Sequence, residues 1–209
     1  MGDPQKLLSR FAGASDLEHA DRPSGEPVRS AGSGPDGSSV QRDSDLCWER
    51  WTDDQIGEPV VRATYRDTGD CPAWDAYRTA AQTLAGYRHQ PNHWAGGWWI
   101  AKSPDGRPIG VLILGYLPPG PESDREDGLV FELTYLGLSP PFRGRGLGRS
   151  MLRKAIEIAQ GESRRRSSSF RAIYAAIDRT NDSARRLYER DRFERCDGES
   201  VWVLESPER

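Results

Sequence analysis

One stretch constrains this chain more than any other. An apolar run over residues 129–138 meets Pro140 and Pro141, then the turn Phe142-Arg-Gly-Arg-Gly-Leu-Gly-Arg149. Prolines carry no N–H, so a strand ladder has to stop just after Leu138. A helix pattern starts near Leu147 and repeats Met151, Leu152, Ala155, Ile156 and Ala159 on one face. A glycine-rich turn between strand and helix leaves the first helical N–H groups unpaired, with the positive end of the helix dipole behind them. That suits a phosphate or pyrophosphate. Gly144, Gly146 and Gly148 let backbone approach such an anion with no Cβ in the way.

Which anion follows from the spacing. A dinucleotide turn needs G-x-G-x-x-G, but Gly146 is followed three residues later by Arg149. A P-loop needs Lys-Ser/Thr after its last glycine, and neither is present. The stretch does match Q/R-x-x-G-x-G/A, with Arg143, Gly146 and Gly148 in the fixed places. It resembles the acetyl-CoA pyrophosphate loop of the GNAT superfamily of N-acetyltransferases. A surface turn with glycines for tight geometry would look the same over so few residues, so the flanks decide.

The 209 residues leave room for one domain and an appendage. Residues 1–45 read as that appendage, a tail outside the fold: 18 are Gly, Pro or Ser, and Phe11 is the single aromatic. A short helix over residues 5–12 has nothing to pack on. The tail holds five Lys/Arg against eight Asp/Glu and so carries the whole net charge of −3. The charge-balanced remainder argues against nucleic acid as the main partner. No apolar stretch approaches membrane-spanning length, and three widely spaced cysteines suit a reducing compartment, so the expected place is the cytoplasm, away from membranes. Oligomeric state is left open, a homodimer included.

From residue 46 the pattern runs through a short edge strand over residues 46–51, a helix opening at Asp53 or Asp54, and a second helix from Pro72 through Tyr87. Two apolar runs around Pro104-Asp-Gly106 form a hairpin. An acidic, proline-rich loop leads to the strand over residues 129–138. The helix after the glycine turn breaks at Gly161. Residues 170–177 are nearly all apolar, as a central strand would be. Thr180 or Asn181 caps a helix through Arg190, and closing strands follow. The order predicts an α+β fold with a mixed, largely antiparallel sheet and helices on both faces. It is also the GNAT element order, with the domain at residues 46–209, and the resemblance is strongest over residues 131–193.

Acetyl transfer to an amine asks for a base, donors for the developing oxyanion, and a proton for the departing thiolate. Glu132 is the one charged residue in the apolar run. It reads either as an edge or ion-paired carboxylate or as the base. It sits 11 residues before Arg143, the spacing of the glutamate base in the histone-acetylating GNAT branch, which favours the base. Tyr188 reads as a core tyrosine by helical spacing. Yet Asn181-x-x-Ala184-x-x-x-Tyr188 followed by Phe193 resembles the second GNAT motif, whose tyrosine serves the leaving sulfur. Arg192 stands where the family usually has glycine. The resemblance implies pyrophosphate contacts from Arg143, Gly144, Arg145, Gly146, Leu147, Gly148 and Arg149. It also implies pantetheine contacts from Asn181 and from the backbone of Leu136 and Leu138, on a strand that splays from its neighbour; Pro140 and Pro141 supply a reason for the splay.

Cys71, His89 and His93 lack a fourth ligand, so no metal is expected. Cys196 reads as an inert thiol. Arg164-Arg-Arg166 reads as a solvated loop, and the tryptophans as core and cleft wall around the first helices. The implied activity is transfer from acetyl-CoA to a primary amine. The rivals are a noncatalytic acyl-CoA sensor, against which Glu132 and Tyr188 together argue, and an enzyme acting on protein N-termini or lysines. Glu122, Asp124, Glu126 and Asp127 form an acidic stretch that could attract a cationic amine.

Overall fold

The computed structural model describes residues 6–14, 46–70, 78–116 and 128–201. Seven strands form one sheet: β1 Lys6–Ala14, β2 Cys47–Arg50, β3 Trp98–Lys102, β4 Pro108–Tyr116, β5 Leu129–Leu138, β6 Phe170–Asp178 and β7 Glu194–Val201. Their order across the sheet is β2-β3-β4-β5-β6-β1-β7. All neighbours are antiparallel except β5 and β6, which run parallel, as a strand–helix–strand crossover requires. The helices are α1 Asp54–Tyr65, α2 Ala80–His89, α3 Leu147–Arg165 and α4 Asp182–Arg190. The mixed sheet with helices on both faces is the α+β fold the element order predicts. No helix among the described residues is long and apolar enough to cross a membrane.

Three elements depart from the sequence reading. Lys6–Ala14, expected in a tail, lies between β6 and β7 as a strand. Its ladder bonds are made by backbone, which the Gly, Pro and Ser content of residues 1–45 taken together does not reveal; residues 15–45 lie outside the described ones. The helix expected to run unbroken from Pro72 through Tyr87 is interrupted, since residues 78 and 79 are non-helical and a helix starts at Ala80. Thr79 caps it, with Gln82 returning the bond, a capping box the apolar spacing obscures. Residues 71–77, with Cys71, Trp74 and Tyr77, lie outside the described residues. The helix α3 runs through Gly161 to Arg165.

The reason for that extension is Glu162. It is 8% exposed and receives hydrogen bonds from Arg165 at 2.6 and 2.7 Å, from Arg166 at 2.8 Å and from the Tyr116 hydroxyl at the end of β4. Ser163 returns its hydroxyl to Ala159 O at 3.0 Å. The local bonds from the arginines and the tertiary one from Tyr116 together outweigh the cost of one helical glycine, about 1 kcal/mol. The basic run is solvated as expected, but Arg164 and Arg165 lie in α3 and not in a loop, and Arg165 and Arg166 hold Glu162. These bonds, those of Arg165 foremost, hold the Glu162 carboxyl down at about 2 against an ordinary 4.5. A depressed carboxylate stabilises the fold above the unfolded value and loses that contribution as pH falls. Glu162→Gln is expected to lower the melting temperature at neutral pH by roughly 4–8 °C, about 2 kcal/mol. Thermal unfolding should show this deficit shrinking between pH 4.5 and 2; a pH-independent deficit would refute the charge-based account.

Two cores flank the sheet. Leu112, Phe131, Met151, Leu152 and Ile173 fill the face under α3 and α4. Val61, Leu84, Trp51, Trp98 and Ile113 fill the face under α1 and α2. The tryptophans are divided between them, since Trp48, Trp94 and Trp99 join the first core and none of the five lines the cleft described below. Trp51 lies against α1 so closely that a Cβ on Gly57 would come 1.8–2.2 Å from its indole.

Candidate active site

The sheet opens in its middle. β5 pairs with β6 only from Leu129 to Leu133, where Leu133 faces Ala175. On its other side β5 pairs with β4 through Leu138, but the register slips: Leu114 opposes Leu133 while Ile113 opposes Tyr135. Thr134 is the extra residue, a β-bulge that bends the strand at the point where it leaves β6. The prolines end β5 at Leu138, but the parting begins at Leu133, so the bulge and not Pro140 accounts for the splay. No glycine marks that bulge in the sequence. Between the parted ends lies a cleft of about 870 Å³, lined by residues 133–138 of β5, Ala176 and Ile177 of β6, the glycine turn, α4, Thr64 in the last turn of α1 and residues 67–70 after it.

The glycine turn forms one end of the cleft. Gly144 and Gly146 adopt left-handed φ values of 71° and 83°, which glycine takes without strain. Gly146 is the N-cap of α3; no side chain caps it and no acidic residue stands in the first turn. The helix N-terminus is left able to receive an anion. At Gly148 a Cβ would meet only the Leu187 side chain of α4, at an ordinary contact distance of 3.6 Å. The predicted arginines divide. Arg149 bonds Asp191 at 3.0 and 3.2 Å, Arg145 sits over the Phe142 ring at 5.8 Å, and Arg143 turns its guanidinium to the carbonyls of Leu138, Thr64 and Asp67 at 2.7–2.9 Å. Leu147 packs on the core. Of the predicted donor-site residues, Leu136, Leu138, Arg143, Gly144, Gly146, Gly148, Arg149 and Asn181 line the cleft; Arg145 and Leu147 do not.

Tyr188 lies at the opposite wall, 5% exposed and tilted against Phe193 at 5.2 Å. Burial, and after it the charge of Asp70, push its phenol well above the ordinary range, so the hydroxyl keeps its proton. Asn181 caps α4 by accepting the Ala184 N–H at 3.1 Å. Arg192, in the family's glycine position, takes a left-handed φ of 64°, which explains why glycine suits that place. Glu132 stands apart. It faces Gly115 on β4 and Tyr174 on β6, two residues before the bulge, and it does not line the cleft. Its carboxylate accepts a hydrogen bond from the side-chain amide of Asn92. Gly115 makes room for that loop, since a Cβ there would come 2.5 Å from Asn92 O.

Asp70 and Asn92 were not singled out by sequence; both lie at turns whose polar residues read simply as helix stops. His89 gives Nδ1 to Ala85 O at 2.6 Å while His93 stands edge-on to Trp98, so the two histidines do not converge. Among the described residues no group of three His, Cys, Asp or Glu side chains comes together for a metal. The acidic stretch at residues 122–127 and the Cys196 side chain lie outside the described ones.

A sequence model of the acetyltransferase (GNAT) family matches residues 59–192. The N-alpha-acetyltransferase RimI of Mycobacterium tuberculosis is 29% identical over 86 residues, spanning 41% of this chain and 43% of that protein. A GCN5-related N-acetyltransferase from Sphaerobacter thermophilus superposes with a TM-score of 0.53 at 17% identity, over 94% of this chain and 50% of that one. An aminoglycoside acetyltransferase from an uncultured soil metagenomic sample superposes with a TM-score of 0.50 at 12% identity, over 79% and 99% of the two chains. The superpositions speak for the fold, and the family match covers well over half the sequence. By its parted strands, its glycine turn and that match, the chain belongs to the GNAT family of acetyltransferases.

Proposed function

We propose that this protein transfers an acetyl group from acetyl-CoA to a primary amine by direct attack in a ternary complex. The observation that carries the reading is the cleft itself, which joins an uncapped helix N-terminus, a stretch of β5 parted from β6 and a protonated Tyr188. These residues fit the donor. The turn suits its pyrophosphate, and residues 134–138 of β5 with Asn181 suit the amides of its pantetheine arm. Acetyl-CoA supplies the activated acyl group. The amine nitrogen forms a bond to the thioester carbonyl and the carbon–sulfur bond breaks. Glu132, through a water, takes the proton lost by the amine, and Tyr188 gives its proton to the departing sulfur. Backbone N–H groups of β5 serve as the oxyanion donors in this reading.

The likeness to RimI makes a protein N-terminus the first acceptor to try. Small primary amines are the alternative. Three widely spaced cysteines suit a reducing compartment, and the cytoplasm is the place that goes with this reading. The test is single-turnover release of CoA thiol with a panel of N-terminal peptides and small amines. Release with any of them supports transfer, and binding of CoA with no release by any acceptor would favour a sensor. In the same assay Tyr188→Phe is expected to lower turnover by about 10- to 100-fold while the melting temperature stays within about 2 °C. A tyrosine needed only for packing would give unchanged turnover.

A further inference from the structure

Arg143 occupies the first fixed position of the turn, yet three of its donors go to carbonyl oxygens. Nε reaches Leu138 O at the end of β5 at 2.9 Å, Nη1 reaches Asp67 O at 2.7 Å, and Nη2 reaches Thr64 O at 2.7 Å. Residues 64–70 are also tied on the other side of the cleft. The Asp70 carboxylate accepts the N–H of Asp178, the last residue of β6, at 2.8 Å. Gly69 lies so close to α4 that a Cβ would come 3.3 Å from Asn181 Oδ1. Between the two ties, Thr68 accepts the Asp70 N–H at 3.1 Å and Asp67 is held at a left-handed φ of 52°. Strain of that kind persists only where the surroundings over-determine the backbone.

A helix end needs only its own last carbonyls satisfied. Here one planar fork satisfies a helix carbonyl, a loop carbonyl and a strand carbonyl together, which an ammonium on a flexible stem cannot reproduce. We propose that Arg143 and Asp70 are positioning residues that carry residues 64–70 as a strut across the gap between the parted ends of β5 and β6. The strut fixes the width of that gap, and Arg143 serves the donor by shaping its slot instead of pairing with its phosphates. This rests on the reading of the cleft as the CoA slot.

Calorimetric binding of CoA and of pantetheine, which carries no phosphate, separates the two roles without depending on turnover. Arg143→Lys keeps the positive charge and loses the fork. It is expected to weaken both ligands by the same factor, about tenfold, as loss of one or two charge-assisted bonds would give. A loss seen with CoA and absent with pantetheine would overturn the strut and make Arg143 a phosphate ligand. Asp70 gives the same comparison from the opposite strand should Arg143→Lys not fold. Asp70→Ala should weaken both ligands, and Asp70→Asn, which keeps an acceptor oxygen for the Asp178 N–H, should restore them. An Asn variant as weak as the Ala variant would refute the role of Asp70. Because binding is read, failure of acetyl transfer in the wild type would count against the proposed reaction and not against the strut.

Discussion

Glu132→Gln is expected to lower kcat/KM for acetyl transfer by about 10²–10³-fold, the lower part of the range a positioned general base supplies. The glutamine keeps the size of the side chain and an acceptor oxygen for the Asn92 amide, so the loop over Gly115 should stay in place. What disappears is the carboxylate that removes a proton from the amine. The deficit should therefore be greatest below the pKa of the acceptor amine, where most of it is protonated, and should narrow above it. Glu132 lies outside the cleft lining and two residues before the Thr134 bulge, which makes a bridging water part of this account. An unchanged pH–rate profile in the variant would sink the assignment and leave Glu132 as a structural partner of Asn92.

Gly57→Ala should destabilise the fold by about 3 kcal/mol, the upper part of the overpacking range, and lower the melting temperature by roughly 6–12 °C. A glycine inside a helix is normally a weak point, and its replacement by alanine gains about 1 kcal/mol. Here the new Cβ would overlap the Trp51 indole at 1.8–2.2 Å. Trp51 cannot give way cheaply: it is 4% exposed, meets Trp98 edge-to-face at 5.0 Å, and donates its backbone N–H to Trp98 O at 2.9 Å. Trp98 is in turn covered by Arg88, 4.3 Å from the ring centroid. Adding Trp51→Phe to the alanine variant should recover part of the loss, a coupling that a double-mutant cycle measures directly. A Gly57→Ala protein as stable as the parent would show that the indole moves freely.

Much of this molecule is legible in the sequence because it follows local rules. Pro140 and Pro141 end β5 where they must, Pro104-Asp-Gly106 makes the hairpin, and Asn181 caps α4 as its place before an amphipathic turn suggests. The glycine turn with Tyr188 gave the family because a short backbone path and one hydroxyl need particular residue types at fixed spacing. What stayed hidden depends on contacts distant in the chain. Asp70 meets Asp178 across 108 positions, and Arg143 reaches Thr64 across 79. Nothing local distinguishes the Thr134 bulge from an ordinary strand residue. Gly161 looked like a helix stop until Glu162 was seen to be anchored, and Lys6–Ala14 pairs through backbone, for which composition is a poor guide. Arginine motifs are the instructive case: the pattern located Arg143 but did not say which way its guanidinium turns.

The parted strands amount to an edge in the middle of a sheet. Outer edges invite neighbouring proteins, and folds defend them with charge, brevity or a cover. This inner one is bordered by α4, the glycine turn and residues 64 and 67–70, which line the cleft with it. The slender, amide-bearing pantetheine arm is the partner proposed for it. On the proposed reaction, the chain folds to a ladder one rung-set short of complete, and each catalytic cycle lends it the missing piece and takes it back.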